Sequence, residues 1–224
     1  MFKTIFQNEN FIVCDKAPQV LSVPAREKDD ARACLGLELQ KELKTQIFPV
    51  HRLDYEVGGL IIYALNSKAH QQAQNWFLKK QIQKNYVAVT STQNFLHWPE
   101  NVKTDRSLVD LNSAKPFIWK TQMQRGKRRS FESPRGEWAE TRAQVAAHTN
   151  SEVLWDLFPV TGKPHQLRFE LSRRGFPICG AVLYGSKTSW KYQGIALKAY
   201  ELDLKKISER LGLPERIQIE KWSL

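Results

Sequence analysis

Asp54 is the acid in this chain whose neighbours give it something to do. It lies in Pro49-Val-His51-Arg52-Leu-Asp54-Tyr-Glu-Val57-Gly58-Gly59-Leu60-Ile-Ile-Tyr-Ala-Leu65, a short polar turn that passes through paired glycines into an apolar run. A polar cluster followed by glycines and a run of this length describes a loop presented at the mouth of a buried strand, where site residues are often held. The cations that could work with this acid are Arg52 on the same turn and Arg168, far along the chain in Thr161-Gly-Lys-Pro-His165-Gln-Leu167-Arg168. Other chemistries lack their residues. There is no Gly-rich loop ending in Lys-Ser/Thr, no Gly-x-Gly-x-x-Gly after a strand and no His-Glu-x-x-His. Cys14, Cys34 and Cys179 are scattered and odd in number, without zinc spacing or a setting that would make a thiolate, so they read as buried small hydrophobes in a reducing compartment.

The elements that must position these residues follow from periodicity. Short strands are expected at 2–6 and 11–14, and a helix at 31–44 from Leu35, Leu39 and Leu43 recurring every four residues. Asn66-Ser67 caps a second helix that runs to about Gln81 through Ala69, Ala73 and Trp76. Lys84–Thr90 alternates as a strand, with Val87 and Val89 on its buried face and Tyr86 turned to the opposite side. Residues 91–137 are irregular, with Trp98, Pro99, Pro116, Trp119 and Pro134, and read as strands and loops of an insertion. Strands follow at 140–147 and 153–160. Pro164 and Gly175 then bracket a helix of about ten residues, with Leu167 and Leu171 toward the core. A strand at 194–204 and a short helix at 206–211 complete the chain. Strands outnumber helices without alternating with them, which implies an α+β fold: one domain, 1–224, built on a mixed, mostly antiparallel sheet flanked by helices and loops.

Composition points to a partner. The 224 residues carry 34 Lys+Arg against 23 Asp+Glu, a net charge of +11. The sequence pI is about 9.6. Such an excess favours a polyanion, and the run Arg125-Gly-Lys127-Arg128-Arg129 within the basic insertion at 103–137 is the candidate phosphate-contacting patch. The N-terminus turns polar within a few residues, and no stretch approaches the roughly 18 apolar residues of a membrane span, so a cytoplasmic protein is expected.

Three windows stand out together: His51-Arg-Leu-Asp54 with Gly59-Leu60; Lys84-Asn-Tyr86; and Thr161 to Arg168, followed by Gly175-x-Pro177-Ile-x-Gly180-x-x-x-Tyr184-Gly185. In that order and at those separations they resemble the catalytic motifs of the RluA-type pseudouridine synthases, from about Phe11 to about Leu204. The resemblance implies an isomerase that detaches uracil from ribose and rejoins it through a ring carbon, with neither metal nor organic cofactor. It implies Asp54 as nucleophile, since a carboxylate can attack and leave again. Arg168 would pair with it, and Tyr86 would stack on uracil and take part in proton transfer. Arg52 would enter the RNA where the target base is flipped out.

His51, His165 and Leu167 are grouped with Arg52 and the basic run Arg125, Lys127, Arg128 and Arg129 as substrate-binding residues. The expected partner is transfer or ribosomal RNA, bound by a monomer that lacks the small N-terminal RNA-binding domain of many relatives. The chain also departs from the family pattern. Val57-Gly58 stands where Thr-Ser is usual, Ala17 where a Lys-Pro pair is expected, Ala181 where Asp is common and Lys198 where His is common. These departures motivate an alternative, a catalytically silent RNA-binding or chaperone protein on the same fold.

Overall fold

The computed structural model describes residues 1–27, 29–96 and 103–224. Trp98 and Pro99, named above in the insertion, lie outside the described residues. Contacts divide the described chain into two compact units, Met1–Lys84 with Lys198–Glu220 and Asn85–Leu197 with Lys221–Leu224.

In the first unit, β1 (Phe2–Gln7), β2 (Phe11–Lys16), β4 (Gly58–Ala64) and β10 (Leu197–Asp203) are neighbours in that order, with β3 (Phe48–Pro49) on β4 and β11 (Arg216–Gln218) on β10. These pairings are antiparallel except β4 with β10, which run parallel, so the expected mixed, mostly antiparallel sheet is what forms. The β1–β2 turn is closed by Asn8, whose Oδ1 accepts the N–H groups of Asn10 and Phe11, both at 2.8 Å. Every residue of β4 is buried. That accounts for the continuous apolar run, because a central strand with both faces covered has no reason to alternate.

Helix α2 (Ser67–Leu78) starts at its expected cap, the Asn66 carboxamide oxygen accepting the Ala69 N–H at 2.8 Å. Ala69, Ala73 and Trp76 face a core built from Phe11, Val13, Leu60, Ile62, Leu202 and Ile217. Each large apolar side chain removed from water there contributes about 1.5–3 kcal/mol.

Two expectations change in this unit. Helix α1 covers Leu35–Leu43 rather than 31–44, because the backbone before it is used elsewhere: Leu21 N–H donates to Ala33 O and Leu35 N–H to Leu21 O, both at 2.8 Å. The helix at 206–211 is replaced by turns. Ile207 and Leu213 are both buried in the core, and a single helical turn has too few internal hydrogen bonds to resist that pull.

The second unit orders its strands β5 (Gln83–Ser91), β9 (Glu152–Pro159), β8 (Glu137–His148), β6 (Phe117–Arg125) and β7 (Ser130–Glu132), all antiparallel. Asn85–Thr90 is buried throughout rather than on one face. The Thr90 side is covered by aromatic rings: the Trp155 indole N–H donates to Thr90 Oγ1 at 3.0 Å, and Trp155 packs on Trp119 and Phe176 with centroids 5.7 and 5.0 Å away. Helix α3 spans Gln166–Ser172, seven residues instead of about ten. Pro164 cannot open it, since His165 takes a left-handed φ of 54° and breaks the helical path.

Burial also sets a pH dependence. Lys16, 1% exposed, gives its ammonium protons to Ala17 O at 3.0 Å and Val20 O at 2.8 Å. Burial lowers its pKa from 10.5 to about 8, with Asp54 and Asp15 acting against that loss. Lys84 is lowered to about 8 by the same cause. Between about 8 and 10.5 the unfolded chain holds protons the folded one has released, so stability rises with pH across that window. The Cys14 and Cys179 thiols, pushed up to about 12 and about 11 by burial, act the other way above their ordinary value of 9. The expected result is a urea midpoint that climbs from about pH 7 to 9. The climb is smaller in Lys16→Met, and equal slopes in the two proteins would remove Lys16 as its source.

Candidate active site

Asp54 is partly exposed and Arg52 is exposed, on a turn closed by Val57 N–H donating to Asp54 O at 3.1 Å. The turn is held from behind by the segment 19–22. Ser22 Oγ donates to Leu53 O at 2.9 Å and accepts the Leu53 N–H at 3.0 Å, both out of water. Gln19 N–H donates to Tyr55 O at 2.7 Å. Leu53 and Tyr55, on either side of Asp54, are therefore fixed by backbone atoms. Tyr63 of β4 donates its hydroxyl to Ser22 O at 2.7 Å, so the clamp is itself anchored to the central strand. Lys16, one strand away, contributes a cation whose field reaches Asp54. Nothing in the sequence marks Ser22, because its role rests on two backbone groups 31 residues away.

His51 starts the turn and is used structurally. Its Nε2 accepts the Ile62 N–H at 3.2 Å and its ring lies 5.3 Å from Phe77. Burial, and secondarily the nearby Lys84 ammonium, push its pKa well below 6.5, so it stands neutral as that acceptor.

The two departures near the turn meet in space. A Cβ on Gly58 would lie 3.2 Å from Pro18 Cγ and Cδ and 3.2 Å from Lys16 O. The proline shifted one place along, to Pro18, thus fills the room that a side chain at 58 would need. We expect Gly58→Ala to destabilise the protein by about 1 kcal/mol through overpacking. Part of that loss should vanish in a Pro18→Ala background, a coupling of about 0.5 kcal/mol or more between the sites. Urea midpoints of the four proteins check this, and strict additivity would contradict it.

In the second unit, Tyr86 lies on β5 opposite Leu157 and is 7% exposed. Helix α3 has no water-facing side: all of Gln166–Ser172 is buried, Arg168 to 1% exposure and Leu167 to 6%. Leu167 therefore faces inward, as its spacing from Leu171 implies. Gln166 and Glu170 find partners close by. Gln166 accepts from Thr161 Oγ1 at 2.8 Å and from Lys163 N–H at 3.0 Å, and donates to Thr141 Oγ1 at 2.8 Å. Glu170 pairs with Arg174 one turn on.

Arg168 lies with its guanidinium carbon 5.2 Å from the ring centre of Tyr184, at the end of the 3-10 turn Val182–Tyr184. A cation over a ring face is favoured, the more so out of water. The Tyr184 oxygen accepts the Ser130 N–H at 2.8 Å and lies 3.1 Å from His165 Nδ1. Burial raises the Tyr184 pKa while Ser130 and Arg168 counter it, so the phenol keeps its proton at neutral pH. Tyr184 was legible as part of a window but not as the residue joining Arg168, His165 and the hairpin at Ser130.

That hairpin carries the basic run. Gly126 N–H donates to Arg129 O at 2.8 Å, and Lys127 and Arg128 project into solvent. Residues 126–131 with Val182 and Leu183 line a groove of about 890 Å³. Arg125 turns back, donating to Arg128 O at 2.8 Å. Arg125, Lys127, Arg128 and Arg129 are thus gathered on one hairpin beside the Tyr184 turn.

Comparison with known proteins bears on what this arrangement does. An uncharacterized RNA pseudouridine synthase of Haemophilus influenzae is 29% identical over 189 residues, covering 83% of this chain and 75% of the relative. The dual-specificity RNA pseudouridine synthase RluA of Escherichia coli is 29% identical over 185 residues, 81% of this chain and 76% of the relative. Among solved structures, human RNA pseudouridylate synthase domain containing 1 superposes with a TM-score of 0.69 at 18% identity. It covers 100% of this chain and 84% of that one, a likeness of fold. The family model for RNA pseudouridylate synthase matches residues 10–173, which contain both the Asp54 turn and helix α3, and the chain belongs to that family of RNA uridine isomerases.

Proposed function

We propose that residues 1–224 work as one catalytic domain that isomerises a specific uridine in transfer or ribosomal RNA, with Asp54 as the nucleophile. In the reaction the bond from ribose to the uracil nitrogen breaks and one from ribose to a ring carbon forms. The proton lost from that carbon is balanced by the one gained at the freed nitrogen, so the change is an isomerisation needing no oxidant or reductant. Asp54 attacks and is later displaced, Arg168 aims it, and Tyr86 stacks on the base and assists the proton transfer. Arg52, exposed on the Asp54 turn, fills the gap left by the flipped base. Lys127, Arg128 and Arg129 bind phosphates. His51, His165 and Leu167 shape the substrate's surroundings from partly or fully buried positions.

The observation that supports this reading is the fixing of both neighbours of Asp54, Leu53 by the Ser22 hydroxyl and Tyr55 by the Gln19 N–H. A turn fixed on both sides of a partly exposed acid suits a carboxylate that must meet substrate in one position. The fit of Gly58 to Pro18 supports an intact turn over the silent-protein reading, because the altered residues fill each other's space. Pseudouridine mapping of total RNA with and without the gene tests the proposal. Loss of one or more sites in the deletion, restored by wild type and not by Asp54→Asn, is the expected outcome. Identical maps with and without the gene would overturn it.

A further inference from the structure

Past the Tyr184 turn lies a group of aromatic rings that the proposed chemistry does not use. Trp190 and Tyr192 stand with centroids 5.3 Å apart at 72°, and Trp190 and Trp222 at 5.1 Å and 54°. Tyr192 is 59% exposed and Trp190 and Trp222 are partly exposed, so three large rings share a surface that offers little to the protein's own core. The group is built rather than loose. The Trp190 Cβ lies 3.1 Å from where a Cβ on Gly180 would be, so that glycine lets the tryptophan come down onto the backbone. Gly180 N–H donates to Thr188 O at 2.9 Å, and Ser186 Oγ donates to the same oxygen at 3.0 Å. Trp222 is carried by a segment tied down by the Lys221–Asp156 ion pair at 2.6 Å.

The charge around the rings selects the occupant. Between Glu170 and Glu201 the chain has no acidic residue, while Lys187 and Lys191 flank the rings and are exposed. The Lys191 ammonium lies 5.2 Å from the Tyr192 ring centre. Asp156 is matched by Lys221, and Glu220, two residues before Trp222 in the chain, is exposed. Rings that present a π face beside exposed lysines suit an unpaired nucleotide: the base stacks and the lysines meet its phosphates. A duplex, with its bases already stacked, offers such rings nothing. An acidic or proline-rich peptide would use the same features less fully, since it has either the charge or the flat ring but not both.

We infer that Trp190, Tyr192 and Trp222 form a stacking platform for an unpaired nucleobase of the RNA, with Lys187 and Lys191 on its phosphates. The inference rests on the RNA reading above and adds a requirement for single-stranded RNA outside the target uridine. The full-length protein is titrated with dodecaadenylate, which contains no uridine, and with a 12-base-pair RNA duplex, following tryptophan fluorescence and filter retention. Dodecaadenylate should quench the fluorescence saturably. Tyr192→Ala should bind it about tenfold more weakly with an unchanged salt slope, because no charge is lost, and Tyr192→Trp should restore binding. Duplex affinity should not move. Equal binding by wild type and Tyr192→Ala, or an equal loss for the duplex, would overturn the platform. Since the ligand cannot be isomerised, that failure is separate from the fate of Asp54: loss of pseudouridine in Asp54→Asn would still stand.

Discussion

Asp54→Asn is expected to lower pseudouridine formation by at least about a thousandfold while leaving RNA affinity within about twofold of wild type. The amide has the shape of the carboxylate but no anionic oxygen to attack with, so the first bond-making step fails. Binding persists because Arg52 and the basic hairpin are untouched, and the turn persists because its clamps run through main-chain atoms of Leu53 and Tyr55. The check is single-turnover conversion of the RNA site identified by mapping, read by mass spectrometry, beside filter binding of the same RNA. Turnover by the variant within tenfold of wild type would mean that another group attacks. Loss of binding would mean that Asp54 holds the loop rather than the substrate.

Gly59→Ala should be the most damaging single change to the fold among those near the site. Gly59, the second residue of the buried strand β4, has a φ of 112°, a conformation side-chain-bearing residues rarely adopt. A Cβ there would lie 2.2 Å from Ala199 O and 2.6 Å from Ala199 N. Ala199 is the parallel partner on β10 while Lys16 pairs on the other edge, so neither neighbour can withdraw without breaking a ladder. The combined strain and clash is expected to exceed about 4 kcal/mol, and so to lower the melting temperature by about 10 °C or more. Gly58, one residue earlier, makes the contrast: its nearest contacts are 3.2 Å away and include a proline ring that can shift. A thermal melt of both variants tests the pair, and a Gly59→Ala protein melting within about 2 °C of wild type would refute the argument.

What could be read from the sequence follows the distance over which each signal acts. His51, Arg52 and Asp54 lie on one turn, and the run behind them announces a buried strand, so the turn and β4 were legible together. The capped helix α2 was legible for the same reason. Ser22 was not, and Tyr184 was legible only as part of a window, because each works on partners tens of residues away, 31 for Ser22 with Leu53 and 54 for Tyr184 with Ser130. The short helix at 206–211 misled because Ile207 and Leu213 are core residues of a turn as readily as of a helix. The one-sided reading of Lys84–Thr90 failed because the opposite side is covered too, Trp155 supplying a partner to Thr90 inside. Gly58 looked like a lost hydroxyl, and its match to Pro18 appears only when the two segments lie side by side.

Ser130 joins two parts of the second unit through opposite ends of one residue. Its N–H donates to the Tyr184 hydroxyl at 2.8 Å and its Oγ donates to Pro164 O at 2.6 Å, directly ahead of helix α3. The basic hairpin is thus tied to the two features that flank Arg168, while its Lys127 and Arg128 stand in solvent. Under the proposed function, a phosphate drawing on Lys127 or Arg128 would pull on a hairpin bonded to the start of α3, a helix buried on all sides. RNA docked on the outside of the unit would then share these two hydrogen bonds with the surroundings of Arg168.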